Sequence, residues 1–392
     1  MELYRQPYRW LMLALLWLLY FSFGLITRSP SPLITPIILD LKLSYGQMGL
    51  VLGSWQMTYI ALAVVAGIIM DRWGVRKSIF AGAIVIGLSA LLRSLSVGFI
   101  TLLVFVAIFG AGGPMISIGC PKTISQWFAG KERATAVGIY TTGPWIGGMT
   151  SLAATNTVVM PMVGHSWRLT FVFYAAVTFL FAFLWLFAAK EVEAARVPER
   201  LNPMRVIVDL FRIHRGRIIL LSGLLSFAIM HGYFAWLPKI LEQSGMSPKA
   251  AGVASAVPFL ASIPAVLTIP RMVPSRLRGR IIGMMAVLTS LTILWVVLWK
   301  LPYVAGLLFF GATGPCLMPL LILALMETPE VASKYLGSAT GAFFCVAEIG
   351  GFLGPFVVGY LVDSTESFLA SALFLSGLGM LILVCMWFFK GS

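Results

Sequence analysis

The chain has 392 residues, of which 59% are hydrophobic and only 11% are charged. This composition excludes an ordinary soluble globular protein, in which about a quarter of the residues are charged. The net charge of +14 does not indicate nucleic-acid binding, because the Lys and Arg residues lie in short connectors between apolar runs. We therefore expect an integral membrane protein with the lipid bilayer as solvent for much of its surface.

Roughly a dozen apolar runs are long enough to cross a bilayer as helices. Most Lys and Arg residues fall in the connectors on the side that holds both chain ends. This bias predicts cytoplasmic termini and a multi-pass protein of the bacterial inner (plasma) membrane. The predicted spans are residues 8–37, 46–68, 77–96, 98–120, 133–158, 168–189, 217–240, 248–270, 281–299, 301–325, 334–361 and 367–389.

The first span carries a charge and three prolines in the stretch FGLITRSPSPLITPIILD, residues 23–40. A charge inside a span costs about 2.5–3.5 kcal/mol on insertion scales, so Arg28 needs an aqueous cavity or a counter-ion. Its planar guanidinium suits two-point binding of a carboxylate, and we predict that it binds an anion. The alternatives are a structural ion pair, a side chain that reaches the outer interface, and a gating role.

The surroundings of Arg28 follow from helix geometry. The prolines after it are expected to bend the helix and to expose backbone carbonyls to the cavity. Phe21 lies two turns before Arg28 on the same face, and with Tyr20 it is expected to wall the site.

Other spans supply further candidates for the lining of the site. These are Gln56 and Tyr59 in the second span and Tyr140 in the fifth. Core or lipid-facing positions are the alternative, because 13% of the chain is aromatic. Lys122, at the end of the fourth span, is interpreted as a connector charge, with capture of the anion as the alternative.

The connector after the second span reads GIIMDRWGVRK, residues 67–77. It is similar to the G-x-x-x-D-R-x-G-x-R-K loop of the major facilitator superfamily. The resemblance implies a secondary transporter and gives this loop a gating role, through ion pairs and helix-end contacts on the cytoplasmic side. A charged turn placed only by topology is the alternative. The matching positions are Gly67, Asp71, Arg72, Gly74, Arg76 and Lys77.

A polar stretch, residues 190–216, divides the chain into two halves of six spans, residues 1–189 and 217–392. GAGGP in the first half recurs as GATGP about 200 residues later. Such a duplication predicts an all-α integral membrane fold, with 12 transmembrane helices in two pseudo-symmetric six-helix bundles and a substrate near the midplane between them. The polar stretch itself is predicted to be a cytoplasmic linker.

The segment YFAWLPKILEQSGMSPKAAG, residues 233–252, resembles the helix 7–8 region of the cyanate/nitroimidazole-type, anion-transporting branch of the superfamily. His231, near the middle of the seventh span, lies close to the repeat equivalent of Arg28. We predict that it contacts the substrate or takes a proton, with a core histidine as the alternative. Tyr233 is a further lining candidate.

Glu348, in the eleventh span, is the acid that lies deepest in an apolar run. Burial disfavours the charged form of a carboxylate, so Glu348 is a candidate proton carrier, with His231 as the other. A structural partner for Arg28 or for serine side chains is the alternative.

Together these features predict a transporter, not an enzyme, that moves a small organic anion by alternating access. Proton symport and exchange for a counter-anion both fit the residues. A proton-coupled drug or amphiphile exporter is the alternative function. We expect no cofactor, no metal site and no nucleic-acid partner, and a monomer suffices for the fold.

Overall fold

The computed structural model describes residues 5–191, 203–298, 302–332 and 336–389, and all regular structure within these ranges is helical. The chain divides into two compact units: residues 1–43 with 54–197, and residues 44–53 with 198–392. The sequence-based domain boundaries place residues 44–53 with the first half instead, and they remain a prediction.

The first unit is built from eight described helices, although the first residues of one of them, α3, belong to the second unit. They are α1 (Arg5–Arg28), α2 (Ile34–Leu41), α3 (Tyr45–Trp73), α4 (Val75–Arg93), α5 (Phe99–Trp127), α6 (Gly130–Ala154), α7 (Met160–Met162) and α8 (Trp167–Ala188). A 3-10 turn, Ser31–Leu33, precedes α2, and a π-helical turn, Thr155–Val159, joins α6 to α7.

The second unit repeats the pattern of long helices. They are α9 (Pro203–Arg212), α10 (His214–Gln243), α11 (Pro248–Met272), α12 (Arg278–Leu298), α13 (Tyr303–Thr313), α14 (Leu317–Met326), α15 (Pro329–Ala332), α16 (Leu336–Thr365) and α17 (Phe368–Phe388). The 3-10 turns Ser275–Leu277 and Gly314–Cys316 lie before α12 and between α13 and α14.

Eleven helical segments of the described chain are long and apolar enough to cross a membrane. With α6, which has 25 residues but starts with charged residues and is rich in Gly and Thr, they match the predicted spans in number and order. The prediction of an all-α membrane fold is therefore confirmed. The first predicted span, residues 8–37, differs in that it is two helices, α1 and α2, joined by a turn.

Glycines bring neighbouring helices into backbone contact in both units. In the first, a Cβ atom on Gly147 of α6 would overlap the backbone of α1 at Phe21. In the second, Cβ atoms on Gly350 and Gly354 of α16 would overlap the backbone of α10 at Leu224 and Ala228. Close approach through small residues is how membrane helices gain packing energy without a hydrophobic driving force. These glycines therefore fix the register of the helix pairs.

The packing at Gly350 predicts a measurable difference between two Gly→Ala substitutions in α16. Gly341 meets no atom within 4 Å, so Gly341→Ala should raise stability by up to about 1 kcal/mol through helix propensity. Gly350→Ala should lower the thermal unfolding temperature of the detergent-purified protein, because α10 must move away. Equal shifts for the two variants would contradict this packing.

Candidate functional site

Arg28 is the last residue of α1, at the point where the first span breaks. Ser29 and Pro30 leave the helix, and a 3-10 turn with a 3.0 Å bond from the Leu33 amide to the Pro30 carbonyl leads into α2. The predicted bend after Arg28 is therefore present. A cation in the last turn is also favoured by the partial negative charge at the carboxyl end of a helix.

The carbonyls that the break exposes are bound by side chains of the first unit. The Ile26 carbonyl accepts a 3.1 Å hydrogen bond from Arg93 and a 2.9 Å bond from the Ser29 hydroxyl. The Pro32 carbonyl accepts a 3.0 Å bond from the Asn156 amide. The expectation that freed carbonyls face a cavity is therefore wrong for these two. The break is held by the protein itself, as buried irregular backbone must be.

Arg93 carries most of this support. The sequence places it among the connector charges, but it ends α4 and is only 1% exposed. Its guanidinium also donates to the Ser89 hydroxyl at 3.1 Å and lies 5.7 Å from the ring centroid of Phe171. Among the described residues Arg93 makes no ion pair. Its charge is offset instead by the carboxyl ends of α4 and α1 and by aromatic rings.

The face of α1 that carries Arg28 also carries Trp17 and Phe21. Their rings stack at 5.5 Å, and the Trp17 indole donates a 2.9 Å hydrogen bond to the Thr142 hydroxyl of α6. Residues 7 and 11 positions before Arg28 share its face of the helix. Phe21 therefore shares the face of Arg28 and stacks on Trp17, and its role as a wall of the site stays a prediction.

An aromatic cluster begins about 80° around α1 from Arg28. Neighbouring rings in it lie 5.0–6.2 Å apart, and the Tyr59 hydroxyl hydrogen-bonds to Ser117 at 2.6 Å. Tyr20 and Tyr59 are half-buried and could present part of their rings to a ligand, while Gln56 beside them is buried. The cluster consists of Tyr20, Phe23, Trp55, Tyr59, Phe109 and Tyr140.

The loop after α3 forms the kinds of contact that its resemblance implies. Asp71 makes a 2.7 Å ion pair with Lys122 of α5. Arg76 donates to the carbonyl of Leu186 near the end of α8. Gly74 has φ +80°, and a Cβ atom there would overlap the Glu191 carboxylate, so glycine is required.

The remaining loop positions are divided between surface and core. Arg72 and Lys77 are exposed, and Gly67 is buried. The gating role of the loop stays a prediction.

In the second unit, the predicted residues lie on the closely packed pair α10 and α16. His231 is half-buried and stacks on Phe227 at 5.5 Å. Glu348 is 9% exposed. Gly350 faces Leu224 and Gly354 faces Ala228, so α16 and α10 run in the same direction and Glu348 lies level with Ser222. Along α10, that level is about 13 Å from His231. The two titratable groups therefore belong to separate positions within this unit.

Tyr233 lies in the core of the same unit. It is fully buried, and its ring centroid is 4.3 Å from that of Phe310. Its proposed contact with a substrate stays a prediction, and this packing gives it a structural role as well.

Comparison with known proteins identifies the family of the chain. The sequence profile of the Major Facilitator Superfamily matches residues 16–355. The chain belongs to the Major Facilitator Superfamily. Membership in this superfamily makes it a transporter and not an enzyme, and a multi-pass integral membrane protein. The finer resemblance to the cyanate/nitroimidazole-type branch stays a prediction.

Two curated relatives are similar to most of the chain, and one solved structure shares its fold. The hexuronate transporter of Bacillus subtilis is 26% identical over 379 residues, which is 90% of this chain and 88% of the relative. A probable sulfoacetate transporter of Cupriavidus necator is 24% identical over 391 residues, which is 92% and 89%. The nucleoside transporter NupG shares the fold with a TM-score of 0.80 at 15% identity, over 95% of this chain and 98% of that one.

Sequence reasoning missed Arg93 and Asn156. Asn156 is an uncharged polar residue inside a predicted span, which is a usable signal of an internal hydrogen bond. Arg93 sits at the end of a span, where a basic residue is ordinarily a connector charge. Its role depends on the position of the α1 break, which is distant in sequence.

Replacing Arg93 tests whether it holds the break. Arg93→Gln should lower stability by about 1–3 kcal/mol, because the Ile26 carbonyl and the serine hydroxyls lose a buried donor. Arg168→Gln, which removes an exposed ion pair with Asp40, should cost at most about 1 kcal/mol. Thermal unfolding of both purified variants measures the difference. An Arg93 variant as stable as the Arg168 variant would contradict this assignment.

Proposed function

We propose that this transporter carries a small organic anion of the sugar-acid class by alternating access, with Arg28 as the anion-binding group. The observation that carries the proposal is the position of Arg28 at the end of α1, on the face of that helix that also carries Trp17 and Phe21, with the aromatic cluster beginning on the adjacent face about 12 Å along the helix. A guanidinium binds a carboxylate through two parallel hydrogen bonds, while aromatic rings accommodate the less polar faces of a small solute.

The named substrates of the two relatives support the choice of solute. Hexuronate and sulfoacetate are both small carboxylates, and a cationic residue in a span fits an anionic cargo better than a neutral one. Residues 233–252 resemble the cyanate/nitroimidazole-type branch, and that branch and the two relatives have small anionic substrates in common. We therefore propose the carboxylate as the recognised group and treat cyanate as a competitor to be measured.

We propose proton symport as the coupling mode, with Glu348 as the proton carrier. A buried carboxylate can alternate between a neutral and a charged form as the cavity around it opens to water. His231 is the second candidate for this role, and exchange for a counter-anion is the alternative. The Asp71–Lys122 ion pair and the Arg76 contact with α8 would then stabilise one state of the cycle at the cytoplasmic side of the inner membrane.

Binding and uptake assays test the role of Arg28. Glucuronate should raise the unfolding temperature of the purified protein, whereas glucose, which lacks the carboxylate, should not. Arg28→Gln should weaken glucuronate binding at least about tenfold, since it removes a charge-assisted pair. Lys249→Gln, an exposed change, should leave binding unaltered.

The uptake assay measures glucuronate transport into proteoliposomes in the presence of a competitor. The competitors are sulfoacetate, cyanate and a lipophilic cation. Glucuronate binding that is the same in Arg28→Gln and in the wild type would remove Arg28 from the site. Competition by the cation alone would favour the drug-exporter alternative.

Proton coupling is tested at Glu348. Glu348→Gln should abolish accumulation driven by a pH gradient while it retains counterflow of solute, because the site still binds but no longer carries a proton. Glu366→Gln, at the exposed end of α16, serves as the matched control. Gradient-driven accumulation by Glu348→Gln would show that the proton travels elsewhere.

A further inference from the structure

A basic cavity lies at one end of the second unit, away from the residues discussed above. Its volume is about 350 Å³, at the lower end of the range for small-molecule sites. Four helix ends surround it: the amino ends of α10 and α12 and the carboxyl ends of α14 and α17. The lining residues are Arg215, Ser275, Arg276, Arg278, Gly279, Arg280, Ala324, Glu327 and Phe389.

The charge of this cavity is unbalanced. Its lining holds four arginines and one carboxylate, Glu327, which forms an ion pair with Arg278. Arg276 and Arg280 make no ion pair among the described residues, so at least two positive charges of the lining remain unbalanced.

The arginines also lie at helix ends where a positive charge is unfavourable. The amino end of a helix carries partial positive charge, which favours acidic residues. Yet the first turns of α10 and α12 contain no acidic residue, and instead supply Arg215, Arg278 and Arg280. The carboxyl ends of α14 and α17 offset part of this positive charge, and an anion in the cavity would offset more of it.

Arg278 is the buried arginine of the lining. Its side chain is only 7% exposed, and its Nη2 atom donates to the Val273 carbonyl at 3.2 Å. Its Nε has no hydrogen-bond partner in the part of the chain that the structure describes, as is also true of Arg93. A buried guanidinium N–H without an acceptor is costly, so Arg278 would gain by turning toward an oxyanion in the cavity.

The exposed side chains near the cavity indicate that it lies at the interface of the bilayer. Met272, Trp387 and Phe388, at the ends of α11 and α17, are 77%, 77% and 60% exposed. Large exposed apolar and aromatic side chains at helix ends mark the interface of the bilayer. Arg215 lies 5.4 Å from the ring of Phe389, so the cavity opens beside this apolar rim.

We propose that this cavity binds a phosphate group. Arg276 and Arg280, both exposed, would approach it from the rim, while Arg278 would hold it from within. The phosphate belongs either to an anionic phospholipid headgroup or to a small soluble compound. This site is separate from the proposed anion pathway at Arg28 and does not depend on it.

The sequence repeat shows why the second unit has this cavity. The loop at residues 271–279 is the duplicate of the loop at residues 71–77. In the first loop Asp71 pairs with Lys122. In the second, Arg271 stands at the position of Asp71 and Arg276 at that of Arg76, so a base replaces the acid while one of the first loop's bases is retained.

The test compares Arg276→Gln/Arg280→Gln with Arg271→Gln, an exposed change at the same end that lies outside the lining. Native mass spectrometry measures retention of phosphatidylglycerol against phosphatidylcholine by the full-length protein. Thermal unfolding with inorganic phosphate, against chloride at equal ionic strength, measures the soluble ligand. The double variant should weaken binding of the responding probe on the order of tenfold, and Arg271→Gln should not.

Each outcome decides for or against the proposal. Selective loss of phosphatidylglycerol identifies a lipid headgroup, and selective loss of the phosphate-induced shift identifies a soluble phosphate compound. If neither probe distinguishes the double variant from Arg271→Gln, the proposal is overturned. Arg276→Lys/Arg280→Lys, which keeps the charge, replaces the double variant if circular dichroism shows that the latter is unfolded.

Discussion

The break between α1 and α2 depends on one constraint: every buried backbone group that leaves a helix needs a partner within the protein. Arg93 and Asn156 supply the partners for the Ile26 and Pro32 carbonyls. With these carbonyls bound, the chain can change direction directly after Arg28. The position of Arg28 at a helix end, rather than within a continuous helix, is a consequence of this support.

Helix ends also explain how the protein accommodates two very different groups of arginines. Arg93 lies at the carboxyl ends of α4 and α1, where the partial charges of the carbonyls offset its own, so it can remain buried without a carboxylate. Arg278 and Arg280 lie at the amino end of α12, where the partial charges add to theirs. The first arrangement is held by hydrogen bonds within the protein, although the buried Nε of Arg93 also lacks a partner among the described residues. The second is one that an external anion would complete.

Close glycine packing determines which residues can act together. Gly350 and Gly354 set α16 against α10 in one register, and that register separates Glu348 from His231 along the helix pair. Gly147 does the same for α6 and α1, and so holds Phe21 and Trp17 against α6. The aromatic faces available near Arg28 therefore depend on small residues in a neighbouring helix.

The sequence by itself determined the membrane class, the order of the helices, the bend after Arg28 and the superfamily loop at residues 67–77. These features follow from local hydrophobicity, from prolines and from spacing within one segment, so no distant contact is needed to recognise them. Only the tertiary structure decided that Arg93 is buried, that Asn156 holds Pro32, that Tyr233 packs in a core, and that Glu348 and His231 are apart. Each of these depends on the register between helices that are far apart in the chain. Backbone contacts at glycines and hydrogen bonds across helices set that register. A pattern along one helix does not contain this information.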